Sequence, residues 1–254
     1  MLVILNHGPI REVRLNRPPA NALSGQLIVA LREAIEAAPQ DGSRALVLSG
    51  TPGRFSGGLD VPLLLACDHA AITTLWREFY ALLKTLAGSP IPIAAAITGH
   101  APAGGTVLPL FCDWRLMAAG DFKIGLNEVQ IGLALPPVIV AALRRLIGPR
   151  QAERLAVGGL LISPSEALAV GLVDELAPRD EVINGAIHWC QTLLALPTEA
   201  MIATRREARA DLIAYFEQNM EPELQDVSAS WWAPETQIAL HALTAKLGKT
   251  VVTS

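Results

Sequence analysis

Two glycine-flanked segments and one acidic turn are the places in this 254-residue chain where residue type and spacing combine into chemistry. Residues 55–60 read FSGGLD and residues 102–107 read PAGGTV. Glycine carries no Cβ, so a ligand can approach the main chain closely there, and backbone N–H groups can be aimed at developing negative charge. Leu59 and Gly104 are the donors this pattern predicts. Residues 125–132, GLNEVQIG, add Glu128, a carboxylate in otherwise apolar sequence and therefore suited to act as a base. Two fixed donors and one base can make the carbon beside a carbonyl acidic: the donors hold the enolate oxygen while the base takes the α-proton. Each segment alone reads first as a simple turn, and the combination carries the chemistry.

The elements that must hold these segments alternate between strand-like and helix-like patterns, which predicts an α/β layer architecture. The first fifteen residues read as a hairpin in which Val13 and Leu15 alternate with charge. Ser24 can cap a helix whose Leu27, Ile28, Leu31, Ala34 and Ile35 form a buried stripe, stopped by Pro39 and Gly42. A strand at 44–48, a helix at 70–87 ending at Gly88, and a strand at 91–97 follow. Both glycine segments then come directly after strands. A helix beginning near Ala103 would present Gly104 in its first turn, where N–H groups have no intrahelical partner. Pro109 inside that helix predicts a bend or a later start. Farther on, residues 163–166 spell a capping box, a strand is expected at 172–176, and from Glu181 the pattern is helical with Pro197, Pro222 and Pro234 as breaks.

Composition excludes several functions. Charged residues make up 17% of the chain against roughly 25% in an average soluble domain, while hydrophobic residues reach 51%, which points to a homo-oligomer that covers part of its surface. No apolar run approaches the roughly 20 residues a bilayer-spanning helix needs, and no export leader is visible at the N-terminus. Cys67, Cys112 and Cys190 are odd in number and far apart among apolar neighbours, so free thiols and a reducing, cytoplasmic location are expected. A net charge of −4 leaves no basic footprint for nucleic acid, and Arg144, Arg145, Arg150 and Arg154 read as a solvated helix face. Metal-ligand spacings and the GxGxxG, Walker and GxSxG motifs are absent from the sequence.

Taken as a set, LNRPPANAL at 15–23, FSGGLD, PIAAAITGHAPAGG ahead of CDWRLMA, GLNEVQIGL, and GLLISPSEALAVGLVDEL resemble the crotonase superfamily, also called the enoyl-CoA hydratase/isomerase family. The similarity runs from Val13 to about Ala177. It implies a spiral of ββα units with a C-terminal helical trimerisation region, divided here as a CoA-binding catalytic core at 1–194 and a helical oligomerisation region at 195–254. The family's oxyanion donors match Leu59 and Gly104. Its hydratases carry two glutamates; the later place is Glu128, but the first is Val107, so carboxylate-pair activation of water is not expected. The pattern most resembles the 3,2-trans-enoyl-CoA isomerase type, with Glu128 as sole acid and base on an unsaturated fatty acyl-CoA in β-oxidation.

The same resemblance assigns Pro19, Ala20, Ser56, Gly58 and Asp60 as candidate CoA contacts, with the CoA thioester as substrate and neither cofactor nor metal. A homotrimer or a dimer of trimers is implied. Lys246 or Lys249 can reach a phosphate but reads first as a solubilising residue. His100 reads first as a core residue and second as part of the acyl pocket, and Trp231 with Trp232 reads first as core packing. Other chemistry on the same oxyanion site, such as decarboxylation or thioester hydrolysis, and a non-catalytic CoA-binding role are the alternatives.

Overall fold

A computed structural model describes residues 1–252, with side chains through Gly248. Strands β1 (Leu2–His7) and β2 (Ile10–Leu15) form the expected hairpin and lead into helix α1 (Gly25–Gln40). Next come β3 (Ala45–Ser49), β4 (Gly53–Arg54), α2 (Val61–Leu64) and α3 (His69–Gly88), then β5 (Ile93–Ile97), β6 (Gly99–Pro102) and α4 (Gly104–Leu110). Strands β7 (Trp114–Ala118) and β8 (Ile124–Gly125) precede a 3-10 turn at Glu128–Ile131 and the long helix α5 (Pro137–Val157). Helix α6 (Pro164–Val170), strand β9 (Glu175–Ala177) and helices α7 (Val182–Leu194), α8 (Thr198–Ala208), α9 (Ala210–Trp231) and α10 (Pro234–Val252) complete the described chain.

The large sheet has the order β1-β2-β3-β5-β7-β9, antiparallel only at the hairpin. Parallel strands covered on both faces must be apolar throughout, and β3 (ALVLS) is buried at every position. On one face Val13, Leu46, Leu48, Ile93 and Ile97 join the core built with α1 and α3. On the other, Val47, Ala94, Ala96 and Leu116 pack against Ala186 and Cys190 of α7. The stripe predicted for α1 is its buried face, with Ser24 Oγ accepting the Leu27 N–H at 3.3 Å. Each of its large aliphatic side chains stabilises the fold by about 1.5–3 kcal/mol on burial.

Three of the large-sheet strands each continue into a short strand of a second parallel sheet, β4-β6-β8, before the chain turns into helix. This is the expected spiral of ββα units. It brings the loops after β4, β6 and β8 to one end of the small sheet, and those loops contain FSGGLD, PAGG and the Glu128 turn. The small sheet is extremely close-packed: a Cβ on Gly99 of β6 would lie 2.0 Å from the Gly53 carbonyl carbon of β4.

Several boundaries differ from the sequence reading, for identifiable reasons. Helix α4 starts at Gly104 despite Pro109, which falls in its last turn, where only one hydrogen bond is forfeited. The strand expected at 172–176 is Glu175–Ala177, because Leu172 and Val173 are buried in the turn that follows α6. Pro222 does not break α9, which buries Phe216 before it and Leu224, Val227 and Trp231 after it in the main core. The capping box at Ser163–Glu166 is formed, and Arg144, Arg145, Arg150 and Arg154 are exposed. All three cysteines are unpaired. Among the described residues no helix is long and apolar enough to cross a membrane.

The C-terminal helices are joined to the rest by buried polar contacts. Arg209, at the junction of α8 and α9, donates to the Ala87 carbonyl at the end of α3 and to the Phe111 carbonyl at the end of α4. Cations at helix C-termini complement the dipole, and Asp113 balances this arginine at 3.1 Å.

The closest approach of the two glycine segments is testable. A Cβ on Gly105 would lie 2.3 Å from the Ser56 carbonyl oxygen, so Gly105→Ala must displace backbone. It is expected to cost about 1–3 kcal/mol and lower Tm by several degrees. At Gly88 an added Cβ meets nothing within 4 Å, so Gly88→Ala is expected to leave Tm unchanged or raise it. Thermal unfolding followed by circular dichroism compares the two, and equal shifts would contradict the close approach.

Candidate active site

The first donor is set by a strip of ladder between the loops after β2 and β4. Leu23 N–H donates to the Gly58 carbonyl at 2.8 Å and Asp60 N–H donates to the Leu23 carbonyl at 3.1 Å. Both flanking groups are thereby turned toward Leu23, and the N–H of Leu59 between them points the other way. Gly58 has φ +83°, and a Cβ there would sit 3.0 Å from Ala103 Cβ and 3.1 Å from the Gly104 nitrogen. Only glycine fits that backbone and that gap.

The second donor opens α4. Ala103 holds φ +49° and ψ −124°, rare for a residue with a side chain, and its own N–H is fixed to the Gly125 carbonyl at 2.8 Å. That conformation exposes the Gly104 N–H at the first helical position. Gly104 and Gly58 face each other directly: a Cβ on Gly104 would lie 3.2 Å from Gly58 Cα. Among the described residues, neither Leu59 N–H nor Gly104 N–H donates to any group of the chain.

Glu128 opens the 3-10 turn that follows β8. Its Oε2 is buried and has no hydrogen-bond partner, although the residue as a whole is partly exposed. Burial pushes its carboxyl up to about 7, an effect only partly offset by its own backbone N–H. Neighbouring Asn127 occupies the N-cap position without making a cap bond, and its Oδ1 is buried and likewise unpartnered. Val107, where a second carboxylate would stand, is 1% exposed inside α4 and contributes only aliphatic surface.

Two polar residues that sequence reasoning passed over hold the three loops together. Thr106 Oγ1 donates its one proton to the Ala101 carbonyl, with the Gly125 carbonyl a longer alternative at 3.1 Å, and accepts the Gly125 N–H at 2.8 Å, tying α4 to both β6 and β8. Asn21, buried at φ +49°, directs its amide nitrogen to the carbonyls of Arg54 and Phe55, each at 3.1 Å. The sequence signals were an Asn in a proline-rich turn, a residue that tolerates left-handed backbone, and a Thr directly after the second glycine pair.

The candidate CoA contacts divide into two groups. Pro19 is exposed and Ala20 half-buried at the rim, with the Ala20 carbonyl accepting Gly57 N–H at 2.8 Å. Ser56 is fully buried, its hydroxyl donating to the Asn21 carbonyl and accepting Gly58 N–H. Asp60 caps α2 through Leu63 N–H and pairs with Arg17 at 2.5 Å. The side chains of Ser56 and Asp60, together with the Gly58 backbone, are thus occupied in building the loop.

His100 accepts Lys123 N–H on Nδ1 at 3.2 Å and packs edge-on against Phe122, so its ring supports the start of β8. Trp231 is fully buried, while Trp232 stacks on His69 with centroids 4.0 Å apart. The Lys249 side chain lies outside the described residues.

With this geometry in hand, comparison with known proteins is specific. A family model described as enoyl-CoA hydratase/isomerase matches residues 6–230. The mouse mitochondrial enoyl-CoA delta isomerase 1 is 33% identical over 254 residues, covering 97% of this chain and 87% of that protein. A probable enoyl-CoA hydratase of Mycobacterium avium is 36% identical over 207 residues, 80% of this chain and 77% of its own. The crystal structure of human mitochondrial delta3-delta2-enoyl-CoA isomerase superposes with a TM-score of 0.93 at 29% identity, covering 98% of both chains.

The raised carboxyl of Glu128 makes a prediction about stability. Below about pH 4.5 the group is neutral whether the chain is folded or not, and no penalty exists. As pH rises the unfolded chain ionises first, so the folded state loses stability until about pH 7, by at most about 3 kcal/mol. Glu128→Gln abolishes that loss. Its Tm is expected to match the parent's near pH 4.5 and exceed it by several degrees at pH 8. Calorimetry at both pH values checks the sign, and a pH-independent difference would contradict it.

Proposed function

The chain belongs to the enoyl-CoA hydratase/isomerase family, and we propose that within it the protein is an isomerase moving the double bond of a 3-enoyl-CoA to the 2-position. The observation that carries this reading is a single buried carboxylate with a vacant oxygen, in a site with two unbonded main-chain N–H donors and an aliphatic residue at the place of a second acid.

The thioester carbonyl oxygen takes the Leu59 and Gly104 N–H groups, which lowers the acidity barrier at the α-carbon. Glu128 removes an α-proton, and the electron pair passes into a dienolate whose negative charge rests on that oxygen. The same carboxyl, now protonated, returns the proton at the γ-carbon, which leaves the double bond between the α- and β-carbons. A carboxyl poised near neutrality suits both halves, because it is neither too weak a base to remove the proton nor too weak an acid to give it back. Hydration would also require a second group to orient a water molecule and handle its proton as the oxygen adds to the β-carbon, and Val107 offers no group for that.

Pro19 and Ala20 at the rim are the positions we assign to contact with the CoA nucleotide, alongside the loop built by Ser56, Gly58 and Asp60. Residues 1–194 make up the catalytic core in this reading and residues 195–254 the helical region. Exposed Val129, Val157 and Leu160 beside the Glu128 turn favour assembly as a homotrimer or a dimer of trimers. The unpaired cysteines fit a reducing compartment, which we take to be the cytoplasm.

Purified protein given 3-hexenoyl-CoA is expected to yield 2-hexenoyl-CoA, and 2-hexenoyl-CoA is expected to yield no hydroxyacyl product. Glu128→Gln should reduce turnover by about a hundredfold to ten-thousandfold. Chromatographic product analysis decides the matter: a 3-hydroxyacyl-CoA product, or free CoA, would replace this reading with hydration or thioester hydrolysis.

A further inference from the structure

The Glu128 carboxylate oxygen Oε2 has no partner and the carboxyl leans on its own backbone N–H, so among the described residues no other residue's hydrogen bond holds it and its aim follows the backbone of its turn. Whatever fixes the 3-10 turn therefore fixes the direction of the base. Three tethers do so. On the N-terminal side Thr106 holds Gly125. In the middle, Gln130 Nε2 donates to the Gly159 carbonyl at 2.9 Å. On the C-terminal side, Thr236 Oγ1 of α10 donates to the carbonyl of Gly132 at 2.6 Å.

The third tether differs from the local bonds that three other helical threonines make. Thr73, Thr74 and Thr244 each donate to the carbonyl four residues earlier in their own helix, the usual local choice. Thr236 instead reaches a residue 104 positions away in sequence. It is 1% exposed, so water cannot take the place of that bond. Its backbone also rides directly on the turn: Gly132 holds φ +72°, and a Cβ there would lie 2.9 Å from Thr236 Cα. Leu133 N–H closes back on the Glu128 carbonyl at 3.1 Å, linking the clamped end to the base itself. Helix α10 also packs on α2, the helix that begins two residues after the donor Leu59.

We infer that Thr236 is a positioning residue, through which the C-terminal helix holds the Glu128 turn in its working geometry. The inference rests on the reading of Glu128 as the base. A clamp of this kind sharpens the chemical step rather than substrate affinity, because it touches the turn and not the thioester.

The test is steady-state isomerisation of 3-hexenoyl-CoA by the full-length protein, with Thr236→Val, Thr236→Ser, Gln237→Ala and Glu128→Gln side by side. Valine keeps the shape and removes the hydroxyl; serine keeps the hydroxyl. Gln237→Ala removes a neighbouring contact of α10, Nε2 to the Trp231 carbonyl at 2.7 Å, that does not reach the turn. Thr236→Val is expected to lower kcat about tenfold or more with KM within about twofold, serine to restore most of kcat, and Gln237→Ala to leave kcat near the parent's. If Thr236→Val turns over like the parent, or Gln237→Ala lowers kcat as much, or serine fails to restore it, the clamp is wrong while an inactive Glu128→Gln keeps the base assignment standing. If Glu128→Gln turns over normally, the base assignment itself fails.

Discussion

Contact between two main chains with no side chain between them is the constraint on which this molecule is built. Gly58 and Gly104 meet face to face, and Gly105 lies so near Ser56 that a single added carbon would collide with its carbonyl. Such an approach excludes water and leaves polar backbone groups with few places to go, which the fold resolves with buried hydrogen bonds: Asn21 to Arg54 and Phe55, Ser56 to Asn21, Thr106 to Ala101 and Gly125. Among the described residues the N–H groups of Leu59 and Gly104 donate to no group of the chain. An unsatisfied buried donor costs about 1–3 kcal/mol, so each such vacancy is set against the hydrogen bonds made around it. The same vacancy is what a developing oxyanion would fill.

The base we propose obeys the opposite demand. An oxyanion needs donors, while a carboxylate that must take a proton from carbon is weakened by every donor that touches it. Glu128 accordingly has an empty Oε2, and neither Leu59 nor Gly104 donates to it. The ββα spiral makes this separation possible, since each unit delivers one loop to the same end of the small sheet and no loop has to supply two incompatible groups. Desolvation is the largest influence on the Glu128 carboxyl, and a carboxyl raised in the folded chain favours the fold less as pH rises toward neutrality.

The loops that build the candidate site were legible in the sequence because they depend on local features: glycines at fixed offsets and one acid in apolar surroundings. The α1 stripe was legible for the same reason, its period being a property of neighbouring residues. Asn21, Thr106 and Thr236 were not. Asn21 spans about thirty-five residues to reach Phe55, and Thr236 more than a hundred to reach Gly132, so nothing in their immediate sequence marks them as more than turn or helix residues. Pro222 misled in the other direction: its local propensity says break, but α9 buries apolar residues on both sides of it and continues. The side chains of Ser56 and Asp60, proposed as ligand contacts from their place in a motif, also hold the loop itself together, a role that only three-dimensional partners reveal.

Glu223 shows what a buried glutamate looks like when its task is structural. It is 6% exposed on α9, and its oxygens accept the hydroxyls of Tyr80 at 2.9 Å and Tyr215 at 2.7 Å, with the Val138 N–H at the start of α5 as a third donor. Burial and the adjacent carboxylate raise both phenols, Tyr215 to about 12, so they remain protonated and keep donating. Three helices are thereby joined at one acid. Glu128 shares the residue type and its carboxyl the apolar surroundings, yet its Oε2 has none of these partners, so it is open to a group from outside the chain where Glu223 is not. Burial alone would not distinguish the two; the count of donors around each does.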